Sequence, residues 1–490
     1  MDSARQTPVL VGVGQVSHRV DDPRDGVEPL EMMEAALRLA AQDAEAEALL
    51  QRAESIRVIR GLWRYGDPAR ALAERLGAGP VETLGTPFGG NVSQVCVNDA
   101  AREIADGRRD VVLIAGAENG RSSAMARRQG VRLPYSEAPG RPDRLLGEEK
   151  EMAHPAERAR GIKRATDMYA VFESAIRYAR GESLDAHRQR IAALWARFNS
   201  VAQQNPHAWI RTPFTAEDIG AAGPENPMIG LPYPRLMNAN NRVDMGAGLV
   251  LCSLATARAL GVPEAKRVFL HAGTEADDDA TASTKLEFHR SPAIRIAGGR
   301  ALELAGCSVE EIDHVDVYSC FPSAVQVGAS ELGLAEDRPL TVTGGLTFGG
   351  GPLNDYVLHA IARMAEVLRE DRGAMGLVTA NGGCLAKHAF GVYSTEPPQE
   401  GFRYANLQHE VDALPRREAI IDFDGDVQVE AYTVAYDKGE PAIGYAACLT
   451  PDGRRSWGAT ENAGTLEEMI RAEVCGRAAR IDGAGRLALS

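Results

Sequence analysis

Tyr318, Cys320, Tyr356, Cys384 and His388 are the residues of this chain whose types and settings could do chemistry. Tyr318 and Cys320 stand in VDVYSCFPSAVQ, residues 315–326, where β-favouring residues run into a Phe–Pro pair. Tyr356 follows the glycine-rich GGLTFGGGPLND, and His359 lies three positions on, nearly on the same helix face. Cys384, Lys387 and His388 come just after the tight turn TANGG, residues 379–383. A thiol in such a place is a nucleophile only where a helix N-terminus or a cation favours the thiolate. A phenol can exchange protons with a reacting oxygen or carbon, given a pKa brought down by a neighbouring cation or dipole. Backbone amides at Gly90 and Asn91, before a helix expected over 91–106, and at Gly382 and Gly383 could hold an oxyanion. Each side chain also has a plain packing reading. Cys384 and Cys320 would be small buried fillers, Tyr318 and Tyr356 aromatics filling a void, and His388 a satisfied turn histidine.

Those residues need a scaffold, and the sequence describes one. PVLVGVGQV, residues 8–16, reads as a strand; its GVG lacks the third glycine and helix start of a dinucleotide fingerprint. A helix over 29–44, a strand at ESIRVIRGLW and a helix at PARALAERLG follow. GTPFGGN then opens a helix that Gly107 ends, and DVVLIAGAE is a continuous apolar run suited to a buried parallel strand. From Arg267 the same order returns: RVFLHAGTEA, a helix after Ser291–Pro292, a Ser308/Glu311 capping box, VDVYSCF, a glycine-rich turn opening a long helix, then GAMGLVTANGG. This is an internal duplication of about 150 to 200 residues. Residues 120–240 are charged and helical and read as an insertion in the first half. Strands and turns after residue 400 read as a small antiparallel β-barrel. The expected domains are 1–265 with the 120–240 insertion, 266–396, and 400–490. Asp313–Asp316 reads as a strand approach rather than a metal set, and Asp277–Asp279 as a solvated loop.

In this order the motifs resemble the thiolase superfamily over roughly residues 5–395. GRRDVVLIAGAEN looks like the thiolase strand after the nucleophile helix. VDVYSCF sits where thiolases carry Asn-Glu-Ala-Phe and sterol-carrier-type thiolases His-Asp-Cys-Phe. GGLTFGGGPLND sits at Gly-Gly…Gly-His-Pro, and TANGGCLAKHAFG at Cys-x-Gly-Gly. The resemblance implies a duplicated α/β fold with a layered α-β-α-β-α core, and a coenzyme A thioester as substrate or ligand with no tightly bound cofactor. It also implies that the insertion forms the coenzyme A platform.

The chain departs from that family at every reacting side chain. The nucleophile position falls on Gly90 or Asn91, the second cysteine on Ala380, the histidine on Gly351, and the thioester-binding residue on Tyr318. Cys96 lies too far inside the helix to gain from its dipole and reads as structural. The two tyrosines are similar to those of thiolase-like aldolases that shorten steroid side chains with a barrel-bearing partner. Three readings stay open. One is C–C bond chemistry of retro-aldol or Claisen type on an acyl-CoA without a cysteinyl acyl-enzyme. The second is non-catalytic acyl-CoA binding or scaffolding. The third is acyl transfer by a displaced Cys384 or Cys320.

Composition bounds the partners. A net charge of -14 with scattered basic residues argues against nucleic acid and anionic membranes. No apolar run approaches a membrane span, and MDSARQTPVLVG has no apolar leader core. Seven dispersed cysteines suit reduced thiols in a cytoplasm. Monomer, homodimer and a separate protein partner are all compatible with the sequence.

Overall fold

The computed structural model describes residues 6–279 and 281–490; residues 1–5, on which part of the leader reading falls, lie outside the described residues. In chain order the strands are β1 (Pro8–Ser17), β2 (Ser55–Val58), β3 (Glu82–Gly85), β4 (Val111–Asn119), β5 (Arg144–Leu145), β6 (Met228–Gly230), β7 (Tyr233–Pro234), β8 (Asp244–Ser253), β9 (Val268–Asp277), β10 (His314–Asp316), β11 (Met375–Gly382), β12 (Lys387–Ser394), β13 (Arg403–Asn406), β14 (Gly425–Asp437), β15 (Glu440–Leu449), β16 (Arg455–Thr460), β17 (Ala478–Ile481) and β18 (Leu487–Leu489).

The first half orders its strands β1-β8-β4-β2-β3-β5, and the second half β10-β11-β12-β9. They join where Val9 and Leu10 of β1 pair with Phe269 and Val268 of β9. Strands β4, β8 and β12 are buried along their whole length; the apolar run DVVLIAGAE is β4, whereas β12 opens with the buried polar pair Lys387 and His388. Helices Pro29–Asp43 and Pro68–Leu76 cover one outer face, and Pro292–Ala305 with Pro322–Leu332 the other. Between the halves lie Val92–Ala105 and Tyr356–Glu370, which touch strands of both. This is the expected five-layer duplicated core. The GVG of β1 serves packing: a Cβ on Gly12 would stand 2.0 Å from the Ala40 carbonyl oxygen of the outer helix.

Three expectations change. VDVYSCF is strand only over His314–Asp316; beyond it the chain turns into the helix Pro322–Leu332. The second-half glycine turn makes a short helix, Gly345–Phe348, and the long helix waits until Tyr356, because Pro352 and the left-handed Leu353 intervene. The C-terminal unit is a curled antiparallel sheet, β16-β15-β14-β17-β18, rather than a closed barrel. Its ends meet at one bridge, Ala459 with Arg486.

That sheet also accepts β6 of the insertion, pairing Ala435 with Gly230. Insertion helix Ala165–Ala179 packs on β14: Arg177 binds Glu473 and the Tyr432 hydroxyl, and the Tyr432 amide donates to Ser174 Oγ. Arg455 of β16, fully buried, donates to the carbonyls of Ser283 and Leu286 and pairs with Glu430. Trp457 Nε1 donates to Ser283 Oγ, which itself donates to Glu157 of the insertion.

Candidate functional site

A cleft of about 600 Å³ opens between the core and the insertion. Its floor brings together Gly89 and Gly90, Tyr318 and Cys320, Asn354, and residues 381–384. Its outer wall is the insertion from Ile162 to Tyr169, which includes Lys163 and Arg164.

The first-half turn is held from the second half. The Gly89 amide donates to Asn354 Oδ1 at 3.1 Å, and Ser93 Oγ donates to the Asn354 carbonyl at 2.8 Å. Asn354 Nδ2 donates to the Arg60 carbonyl at 2.6 Å. Lys387 Nζ donates to the Phe88 carbonyl, and burial pulls its pKa below the usual lysine value. The helix Val92–Ala105 begins with no side-chain cap on its N-terminal amides. The second-half turn is held from the insertion. Tyr169 Oη accepts from Asn381 Nδ2 and the Leu385 amide and donates to the Gly383 carbonyl. Tyr169 stacks on Phe321 with ring centroids 4.5 Å apart.

Tyr318 lies against Gly90. A Cβ on Gly90 would lie 2.3 Å from Tyr318 Oη and 2.4 Å from the Asn381 carbonyl oxygen. No side chain fits at position 90 while that phenol is there. Gly351 is crowded too: a Cβ would lie 3.2 Å from Asn241 Oδ1.

Electrostatics decide what these groups can do. Burial pushes the Tyr318 phenol well above 10, with the Cys320 and Asp355 charges adding to the rise. This is the opposite of the lowering that a resting base requires, so Tyr318 is a hydrogen-bond donor at neutral pH. Burial pushes the Cys320 and Cys384 thiols up to about 12, so neither is a ready thiolate. Cys96 is fully buried at about 12 as well, which fits its structural reading.

Tyr356 and His388 stand behind the cleft. Tyr356 is 1 % exposed, its ring meets Tyr318 edge-on, and its hydroxyl bonds to Asp316 Oδ1 at 3.0 Å and Thr343 Oγ1 at 2.7 Å. His388 Nε2 lies 3.3 Å from Ser291 Oγ and 3.6 Å from Asp278 Oδ2. Asp278 corrects the solvated-loop reading: it is buried and paired with Lys285 at 3.2 Å. Burial works to raise its carboxyl, and Lys285, His388 and Ser291 outweigh that and hold it below the usual range. His359 bonds to Gln15, and burial lowers it to about 3. Burial and Asp355 raise Glu118 to about 8.

Sequence reasoning missed Asn354, Asn381 and Tyr169. An asparagine at each glycine-rich turn was a visible signal; Tyr169 had none, because its partners lie in another domain. Among the described residues no cluster of His, Cys, Asp or Glu could hold a metal ion, and no helix is long and apolar enough to cross a membrane.

Comparison with known proteins places this geometry. A search of curated proteins gave no match. Residues 406–486 match the family described as the thiolase-like protein type 1 additional C-terminal domain. An Ltp2-ChsH2(DUF35) aldolase structure is similar at 18% identity and TM-score 0.63, covering 80% of this chain and 99% of that one. The dimeric peroxisomal thiolase of Saccharomyces cerevisiae is similar at 15% and 0.56, covering 80% and 98%. Both show the shared fold. A monomeric SCP2-thiolase-like protein type 1 from Mycobacterium smegmatis is 30% identical, with TM-score 0.85 over 99% of each chain. A thiolase-type core that carries the added C-terminal domain, matched end to end at that identity, makes this chain a member of the SCP2-thiolase-like proteins of type 1.

Proposed function

We propose that the cleft binds an acyl-coenzyme A thioester and supports C–C bond chemistry of retro-aldol or Claisen type through an enolate, with no cysteinyl acyl-enzyme. The observation that carries this reading is the Tyr318 hydroxyl standing where a Cβ on Gly90 would be. A hydroxyl that can exchange a proton with a bound substrate stands at the floor of the cleft. A phenol kept protonated by burial can take the β-hydroxyl proton as it passes its own on, while backbone amides of the glycine turns hold the thioester oxygen and stabilise the enolate. Lys163 and Arg164 on the outer wall suit the phosphates of coenzyme A.

Binding without turnover is the second reading. The raised pKa of every tyrosine and cysteine on the cleft wall favours it, since no side chain there is a poised base or nucleophile. The chain is taken as a monomer, because β5 pairs with the edge of β3 and Arg144 anchors it to Asp99 and Glu103.

Mass spectrometry of a panel of acyl-CoA thioesters, with binding measured by calorimetry, tests the reading. Cleavage of a 3-hydroxyacyl-CoA with no acyl adduct on the intact protein is the expected result. Binding alone across the panel selects the second reading, and an adduct on Cys384 or Cys320 overturns both. A solution mass of twice the chain refutes the monomer.

A further inference from the structure

Tyr318 and Asn381 line the cleft and also a second, smaller space beyond it. That space measures about 10 Å³, the room one water molecule needs. Its other polar walls are Thr379 and His388; Ile294, Leu385 and Phe390 make it otherwise apolar. Asn381 and His388 are directly opposed in the antiparallel β11–β12 ladder, so their side chains share a face. The Asn381 orientation is fixed, because its Nδ2 donates to a Tyr169 hydroxyl whose own proton goes to the Gly383 carbonyl. Asn381 Oδ1 is left buried and without a partner. An unpaired buried acceptor beside a water-sized space is the setting in which an ordered water is held.

On its far side His388 is backed by charge. Its Nε2 faces Ser291 Oγ and Asp278 Oδ2, Ser291 Oγ donates to Asp278, and Lys285 completes the group. A carboxylate behind an imidazole fixes the ring and stabilises the imidazolium that forms when its other nitrogen takes a proton.

We propose that a water in this space links Tyr318 to His388, giving a proton route from the cleft floor to a histidine positioned by Asp278 and Ser291. The proposal rests on the thioester reading above and supplies what that reading lacks, a place to hold the proton between its two steps. In a retro-aldol cleavage the β-hydroxyl proton passes to Tyr318 Oη as the phenol proton passes through the water to His388 Nδ1. The C2–C3 bond breaks, C3 becomes a carbonyl carbon, and the bonding pair becomes the thioester enolate. The proton then returns by the same route to C2. One proton leaves oxygen and one reaches carbon, so no co-reactant is consumed. Tyr318 never persists as a phenolate, and the positive charge rests beside Asp278. In this scheme Tyr318 touches the substrate, His388 acts through it, and Asp278 and Ser291 are positioning residues.

A crystal structure that resolves ordered water, together with kinetics of Asp278→Asn and His388→Gln on a 3-hydroxyacyl-CoA, tests the route. Expected are a water within hydrogen-bond distance of both Tyr318 Oη and His388 Nδ1, and kcat lower by about 10²-fold or more in both variants with KM within about twofold. The wild-type rate in mixed light and heavy water should show more than one proton in flight, and the His388→Gln rate only one. A dry space, or unchanged kcat in both variants, overturns the route while leaving the thioester reading standing. Failure of the wild type to cleave any thioester overturns both.

Discussion

In the first half the glycine-rich turn runs directly into a helix at Val92; in the second half it coils into Gly345–Phe348, passes Pro352 and starts its helix only at Tyr356. A duplicated core supplies two such turns, and here they have parted in role. The first keeps a bare helix start on the cleft, with a phenol from the other half laid against Gly90. The second is filled and locked, with Tyr356, Thr343 and Asp316 bonded to one another out of reach of the cleft. Asn354 then reaches from the second turn to hold the first. The two turns thus differ in what they build. One preserves a polar surface and the other closes a core.

The sharpest way to break this contrast is at position 90. Gly90→Ala should cost about 3 kcal/mol or more by thermal unfolding, because its methyl meets Tyr318 Oη and a fixed carbonyl. In a Tyr318→Ala background the same change should cost less, with a coupling of about 1–3 kcal/mol in the double-mutant cycle. Strict additivity would show that the phenol does not occupy that place.

The two tyrosines should answer differently. Tyr318→Phe should leave the melting temperature near wild type and slow thioester turnover ~10²–10³-fold, as loss of a group that exchanges the substrate proton does. Tyr356→Phe leaves the buried Asp316 Oδ1 without its partner, though Oδ2 keeps its bonds to Thr341 and Thr343, and should cost about 1–3 kcal/mol of stability. Equal effects of the two changes on both readouts would erase the distinction between the turns. Asn354→Ala should cost about 1–2 kcal/mol and speed hydrogen exchange in peptides covering residues 86–93, with the second-half peptides unchanged.

A last test concerns Glu118, whose link to the turns is the charge of Asp355. Its folded pKa lies near 8, above the ordinary 4.5, so the native state holds a proton that the unfolded chain has released. Stability therefore falls as pH rises from about 4.5 to about 8. Glu118→Gln keeps the acceptor for the Leu62 amide and removes that penalty. Its melting temperature relative to wild type should rise between pH 5 and pH 9, and a constant difference would refute the assignment.

Glycine spacing and apolar periodicity made the duplicated core legible, since both follow from local backbone needs that a sequence displays directly. The helix at Val92 and the strand at Val111 are of that kind. The site was legible only as far as its turns. That Tyr318 lies against Gly90 depends on a contact between distant segments, and no spacing rule reports it. Asp278 misread as solvated for the same reason. Three acidic residues in a row look like a loop until Lys285 and His388 are seen folded onto the middle one. Strand count and turn chemistry gave the C-terminal antiparallel sheet but not how far its ends close, which is a single bridge.

The strand that the insertion lends to the C-terminal sheet has a consequence for how the chain reaches its native state. Gly230 pairs with Ala435, so that sheet cannot be completed by its own segment alone, and the cleft wall cannot be braced until the last strands have been synthesised. Contacts this far apart in sequence make for slow, late assembly. A ribosome-bound chain ending before β14 would carry both glycine-rich turns and a finished core sheet, yet leave Arg177 without Glu473 and Tyr432.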